Sequence, residues 1–235
     1  MGKIGVCYLC GKTLFEPIDR DHVPPRQLFA KDIRKEHSPN LLTIPVHAAC
    51  NKSYQHDEDY FVNSLAPFGL ESYSGEAVLH EALEKVRQGR NVGLHRKVLE
   101  EFEDTPSGLV LPEGKIIKRF DGDRMQRVIL KIVAGLYFHH YGEVLPQDLT
   151  CSTKIYGPDE KPPDGFLAFM SQETTKRHGL YPGVFDYCFE KFPEVNNFHY
   201  WAMLLWDKII MIAYFHDPAC ECLECKPEQA DLRGN

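Results

Sequence analysis

No stretch of this chain is apolar for long enough to cross a membrane. Its longest apolar run, Tyr200 to Phe215, is broken by Asp207-Lys208 and falls short of the ~20 residues a spanning helix needs. No basic segment followed by an apolar one opens the sequence, so a secretory signal is not expected and a cytoplasmic protein is. An excess of positive charge is missing too. The net charge is −7, which disfavours a protein that binds phosphates along its whole surface. The deficit is uneven: residues 1–60 carry eight Lys/Arg against eight Asp/Glu and are neutral, so the acidic balance belongs to residues 61–235. No internal repeat is visible. The 43% hydrophobic and 26% charged fractions are those of an ordinary globular protein able to bury a core.

Cysteine is not scarce. Eight are present, and without a secretory route metal ligation explains the paired ones better than disulfides do. Cys7 and Cys10 form one pair with two residues between them, and His47 and Cys50 form another. That spacing lets a knuckle or a helix start aim both side chains at one ion, and four such ligands close a tetrahedral structural zinc site. The plainer alternative makes Cys7 and Cys10 small core residues and His47 a helix cap. The 36 residues between the pairs require a hairpin with a long loop whose ends return to one place.

The pattern between the pairs suits such a hairpin. Thr13 to Ile18 is a strand candidate, and Pro24-Pro25 forbids helix directly after His22. Residues 26–39 read as a loop with one helical turn at Arg26–Lys31. Leu41 to Val46 is a second strand candidate, and from His47 the pattern turns helical, with Tyr54, Phe61 and Leu65 on one face and Pro67 as the stop. Residues 13–66 therefore read as a ββα unit. Asp21 ends its first strand and Asn51 follows the last zinc ligand. A carboxylate oxygen with an amide oxygen is hard-ligand chemistry, suited to Mg²⁺ or Mn²⁺. His22 would then deprotonate an attacking water, provided a bend brings it together with Asp21, because neighbours on a strand point to opposite faces. The alternative is a surface Asp-His pair and an asparagine that caps a turn.

Together, Cys-x-x-Cys, then Asp-His-Val-Pro-Pro-x-x-Leu-Phe (Asp21 to Phe29), then Asn40-Leu41, then Ile-Pro-x-His-x-x-Cys-Asn (Ile44 to Asn51) resemble an HNH endonuclease of the ββα-metal type. The resemblance covers about residues 5–62. It implies that His22 is the general base, that Asp21 and Asn51 hold the catalytic Mg²⁺ or Mn²⁺, and that Asn40 steadies the loop carrying His22. Two positions depart from the usual pattern: Asn51 stands where histidine is frequent, and His47 where the second zinc pair usually has cysteine. The implied activity is hydrolysis of DNA phosphodiesters by a bacterial or phage-type protein, with RNA not excluded. A non-catalytic, zinc-stabilised module that binds nucleic acid or protein is the competing reading.

The expected fold class is α+β: a zinc-pinned ββα unit (1–66), a helical connector (67–104), an α+β accessory region (105–218) and a cysteine-containing tail (219–235). The accessory region would bind target or partner, or form a homodimer. Residues 78–103 read as an amphipathic helix interrupted near Gly89–Gly93, and Thr105-Pro106-Ser107-Gly108 as a linker. Met125, Val128, Ile129, Ile132, Val133, Leu136 and Tyr137 predict a helix over 123–141. Residues 157–164 read as a loop and Val184 to Phe192 as a strand. Trp201–Trp206 and Ile209–Phe215 read as a buried hairpin, as core or a dimer surface rather than a base-stacking platform. Lys118, Arg119, Arg124 and Arg127 are candidates for phosphate contacts or for the solvated face of a helix. His56 and Asp57-Glu58-Asp59 would lie near the metal or on a solvated face, and His139-His140 read as structural. Cys220, Cys222 and Cys225 could complete a second zinc site with His216, Cys151 or Cys188, or belong to a free tail. Metal analysis of the purified protein is expected to find about one tightly held zinc, or about two if the tail also ligates; finding none ends the zinc reading.

Overall fold

Pro17 has no N–H to give a ladder, so the first strand starts one residue after it. The structure, a computed structural model, describes residues 5–37, 41–103, 117–171, 177–192, 198–217 and 219. Strand β1 (Ile18–His22) pairs antiparallel with β2 (Thr43–His47), with Ile18 opposite His47 and His22 opposite Thr43. The strand expected over Thr13 to Ile18 is therefore displaced. Thr13 makes only an isolated bridge to Val6, and the Pro17 carbonyl accepts from Ala48 N–H at 2.9 Å. Between the strands a 3₁₀ turn (Arg26–Leu28) is followed by helix α1 (Lys31–His37), longer than the single turn anticipated. Asn40 lies outside the described residues.

The helix expected from His47 to Pro67 is two helices, α2 (Ala48–Lys52) and α3 (Gln55–Leu65). Ser53 Oγ donates to the Cys50 carbonyl at 2.8 Å, and such local bonding competes with helix continuation. Helix α4 (Tyr73–Arg87) is capped by Ser72, whose hydroxyl accepts from Gly75 N–H at 3.0 Å, and α5 (Val92–Glu100) follows the interruption anticipated at Gly89–Gly93. Strands β3 (Phe102–Glu103) and β4 (Ile117–Lys118) form a short antiparallel pair. The linker at residues 105–108 and the cysteines at 220, 222 and 225 are outside the described residues.

Helix α6 (Gly122–Tyr141) buries all seven apolar positions named from its period. After it come β5 (Thr150–Tyr156), α7 (Asp164–Met170), β6 (Arg177–Tyr181), β7 (Phe185–Lys191), β8 (His199–Leu205) and β9 (Ile209–His216). Strands β5–β9 form one antiparallel sheet in the order β5-β9-β8-β7-β6. The β8–β9 hairpin is the one expected, and its Trp201 and Trp206 are buried core. Strands β5 and β6 and helix α7 were not anticipated, since Thr150–Tyr156 is polar and mixed and becomes a strand only by pairing with β9. His140 is structural as read: Nε2 lies 2.9 Å from Tyr187 Oη, and burial, with His178 and His139 nearby, brings its pKa down to about 4. The chain is thus α+β, with a β-hairpin and helices leading into a five-stranded sheet.

One hydrophobic cluster runs from Cys7 and Tyr8 through Val23, α3 and α6 to Trp206 and Phe215. Hydrogen bonds tie its distant parts: Trp206 Nε1 donates to the Leu28 carbonyl at 3.0 Å, and Leu42 N–H to Tyr181 Oη at 2.6 Å. Helix α6 approaches the hairpin at Gly135, where a Cβ would stand 2.6 Å from Val23 Cγ2. Alanine there would gain at most about 1 kcal/mol in helix propensity, whereas overpacking a β-branched neighbour costs roughly 1–3 kcal/mol. Gly135→Ala is therefore expected to lower the urea midpoint of unfolding. An unchanged or raised midpoint would mean that this contact is not tight.

Candidate functional site

The knuckle after Val6 is closed by Gly11 N–H donating to the Cys7 carbonyl at 2.8 Å, and Gly11 turns the chain with φ +71°. This brings Cys7 and Cys10 to the end of β2, where His47 and Cys50 stand at the hinge into α2. The four ligand atoms all lie within 4.8 Å of one another. His47 Nδ1 is 3.4 Å from Cys10 Sγ and 3.9 Å from Cys50 Sγ. A tetrahedral zinc with bonds of ~2.3 Å to sulfur and ~2.0 Å to nitrogen sets its ligands about 3.5–3.8 Å apart, so the spacing fits. His47 Nε2 lies 3.1 Å from the Thr13 carbonyl, which can accept only from an N–H, and Nδ1 is then the free lone pair facing the thiols. Cys7, Cys10, His47 and Cys50 thus lie together as a group that could hold a metal ion such as zinc.

Crowding separates the thiols electrostatically. Burial pushes the Cys10 thiol up, but hydrogen bonds from Lys12 N–H, His47, Cys7 and Cys50 outweigh it and bring the group down to about 7. Burial and the neighbouring Cys10 and Cys7 push Cys50 up to about 12.

Along β1 the ladder stays regular through His22, and the side chains alternate. Asp19 and Asp21 share one face with Ile44 and Val46. Arg20 and His22 share the other with Thr43, whose Oγ1 accepts from Arg20 Nε at 3.0 Å and Nη2 at 2.8 Å. The bend that would bring Asp21 and His22 together is absent, because both residues are paired within the same ladder.

Asp21 is only 3% exposed. Its Oδ1 accepts from Lys131 Nζ of α6 at 2.6 Å and its Oδ2 from Tyr8 Oη. Asn51 is turned elsewhere: Nδ2 donates to Asp19 Oδ2 at 2.7 Å. That bond, with one from Arg20 N–H, holds the Asp19 carboxyl below the usual carboxylate range. A hard divalent cation needs about six oxygens, several of them water. With both Asp21 oxygens engaged and buried, and Asn51 bonded to Asp19, the pair expected to hold Mg²⁺ or Mn²⁺ does not fit that ion as arranged.

His22 is half-buried, and no hydrogen bond to its ring is found among the described residues. Burial, and next the charge of Arg26, set its pKa below the ordinary histidine value. A neutral imidazole with open nitrogens is a competent proton acceptor.

The basic segment expected to meet phosphate is paired internally. Lys118, whose side chain is 2% exposed, is bonded to Glu101, and Arg119 lies 3.0 Å from Glu103. Arg124 and Arg127 both grip Asp57 while lying over the rings of Tyr60 and Tyr54 at 4.3 Å. Asp57 and Glu58 are accordingly anchors for α6 rather than a solvated face. Sequence reasoning missed Tyr8, and it missed that Lys131 and Glu58 meet at Asp21, although Lys131 sits on the apolar stripe of α6, three residues after Val128 and four before Gly135. It also missed Arg20 and Arg26 beside His22; the two-residue strand period from His22 would have found Arg20. Of the suggested partners for a second zinc, Cys188 is buried with Sγ 3.2 Å from Met170 Sδ, and burial pushes the Cys151 thiol up to about 12.

Comparison of the chain with family models, with curated proteins and with solved structures gives no match. Among the described residues no helix is long and apolar enough to cross a membrane.

Thiolate rather than thiol reacts with alkylating agents. In chelated protein, iodoacetamide is expected to label Cys10 before Cys50, with the Cys10 rate rising as pH climbs through about 7. Zinc should suppress both reactions. Equal labelling with and without zinc, followed by peptide mass mapping, would count against ligation here.

Proposed function

We propose that the chain is a ββα-type endonuclease that hydrolyses DNA phosphodiester bonds on a structural zinc frame, with His22 as the general base. One observation carries this reading: a Cys₃His group stands at the hinge between hairpin and helix, and the same hairpin presents a half-buried imidazole that has no hydrogen-bond partner among the described residues. Zinc at Cys7, Cys10, His47 and Cys50 would clamp the start of α2 to the knuckle and set the hairpin's end rigidly. Neutral His22 takes the proton from water as its oxygen bonds to phosphorus, the ester P–O bond on the opposite side breaks, and the leaving alkoxide takes a proton from the imidazolium or from solvent water. Arg20, on the same face of β1, and Arg26, whose charge acts on the His22 ring, have no carboxylate partner among the described residues, and their charge suits the phosphate. They replace Lys118, Arg119, Arg124 and Arg127 in that role. Asp21 and Asn51 take no part in this step.

A second reading, a zinc-stabilised module that binds nucleic acid or protein without cutting, is favoured by the engagement of Asp21 with Lys131 and Tyr8. Cleavage assays on plasmid DNA and on RNA, with and without Mg²⁺ or Mn²⁺, separate the two. His22→Ala is expected to slow cleavage by roughly 10²–10⁴-fold, the contribution of a positioned base, while zinc content stays unchanged. Wild-type activity should fall as acid protonates His22, at a pH below the ordinary histidine value. A mutant that cuts as well as wild type removes His22 from the role; retention of DNA with no cutting by the wild type supports the binding module.

A further inference from the structure

The partner of Asp21 is a cation already, and it belongs to the chain. Lys131 Nζ donates to Asp21 Oδ1 at 2.6 Å and to Glu58 Oε1 of α3, and it lies 5.4 Å from the centre of the Tyr54 ring. Two carboxylates and one π face thus surround an ammonium that has three hydrogens to place. Tyr8 Oη donates to the remaining oxygen of Asp21. The side chains of Lys131, Asp21 and Glu58 are 1%, 4% and 11% exposed, so almost no water reaches the group. A lysine is well suited to such a place: it is one compact point charge, and it needs none of the waters that Mg²⁺ keeps.

We propose that Lys131 is the resident counter-cation of Asp21, an ammonium standing where the ββα hairpin was expected to hold a divalent metal, so that Mg²⁺ and Mn²⁺ do not bind at Asp21. Lys131 is a positioning residue: it joins β1, α3 and α6 through one charge and so sets how the hairpin carrying His22 meets the rest of the molecule. This pairing is independent of whether the chain cuts DNA.

The test uses full-length, zinc-loaded protein and reads no cleavage. Mn²⁺ uptake, followed by the paramagnetic resonance of the free ion, is expected to be the same within about twofold in wild type and in Asp21→Asn. A drop of about tenfold or more in Asp21→Asn would overturn the proposal, because Asp21 would then be holding the metal. In ¹⁵N-labelled wild type, the shielded Lys131 ammonium should give a slowly exchanging Nζ–H signal that millimolar Mg²⁺ leaves in place; displacement by Mg²⁺ would overturn it as well. Thermal unfolding supplies the third reading. Asp21→Asn should lower Tm clearly in wild type and much less in a Lys131→Met background, while strictly additive losses would mean that the two side chains are not partners. Should Lys131→Met fail to fold, the Mn²⁺ and Nζ measurements decide alone.

Discussion

The ring of His47 can turn only one nitrogen toward the thiols, and the Thr13 carbonyl determines which. Because that carbonyl takes the Nε2 proton, Nδ1 faces Cys10 and Cys50, and the knuckle, the end of β2 and the start of α2 meet at one point. A hairpin of two five-residue strands is marginal by itself in water. Its end is defined here by this four-ligand group and by the Ala48–Pro17 backbone bond beside it. The position of Asn51, one residue beyond Cys50, follows from the same hinge.

From that anchored end, strand alternation divides the hairpin into two chemical faces. One face carries exposed Asp19 and buried Asp21 beside Ile44 and Val46, and Asp21 is held within the protein by Lys131 and Tyr8. The other face carries Arg20 and half-buried His22, whose ring has no hydrogen bond among the described residues. Burying ions costs several kcal/mol each unless they are paired and hydrogen-bonded, and the Lys131 group meets that condition with two carboxylates, a phenol and an aromatic face. The same economy runs along α6. Arg124 and Arg127 share Asp57, so a segment that is basic in sequence becomes an ion-paired seam between α3 and α6.

Much of the fold was legible in the sequence because it rests on local rules. The apolar period of α6, the interruption between α4 and α5, and the β8–β9 hairpin at Asp207-Lys208 each follow from residues within one or two turns of one another. Strands β5 and β6 were not legible, since their residues carry no strong alternation and acquire strand geometry from the neighbours they pair with. The strand candidate over Thr13 to Ile18 spans Pro17, which has no N–H to donate and instead marks the limit of β1.

The amino-acid sequence by itself determined the two ligand pairs, because two-residue spacing lets each pair aim at one ion, while the β1–β2 hairpin brings the pairs together. It also determined the hairpin-then-helix order and the apolar face of α6. Only the tertiary structure decided what those elements do to one another. The cationic partner of Asp21 lies 110 residues away on α6, and the partner of Asn51 is Asp19, 32 residues back. Charge pairing across such distances depends on strand register and helix packing, and no local spacing encodes either.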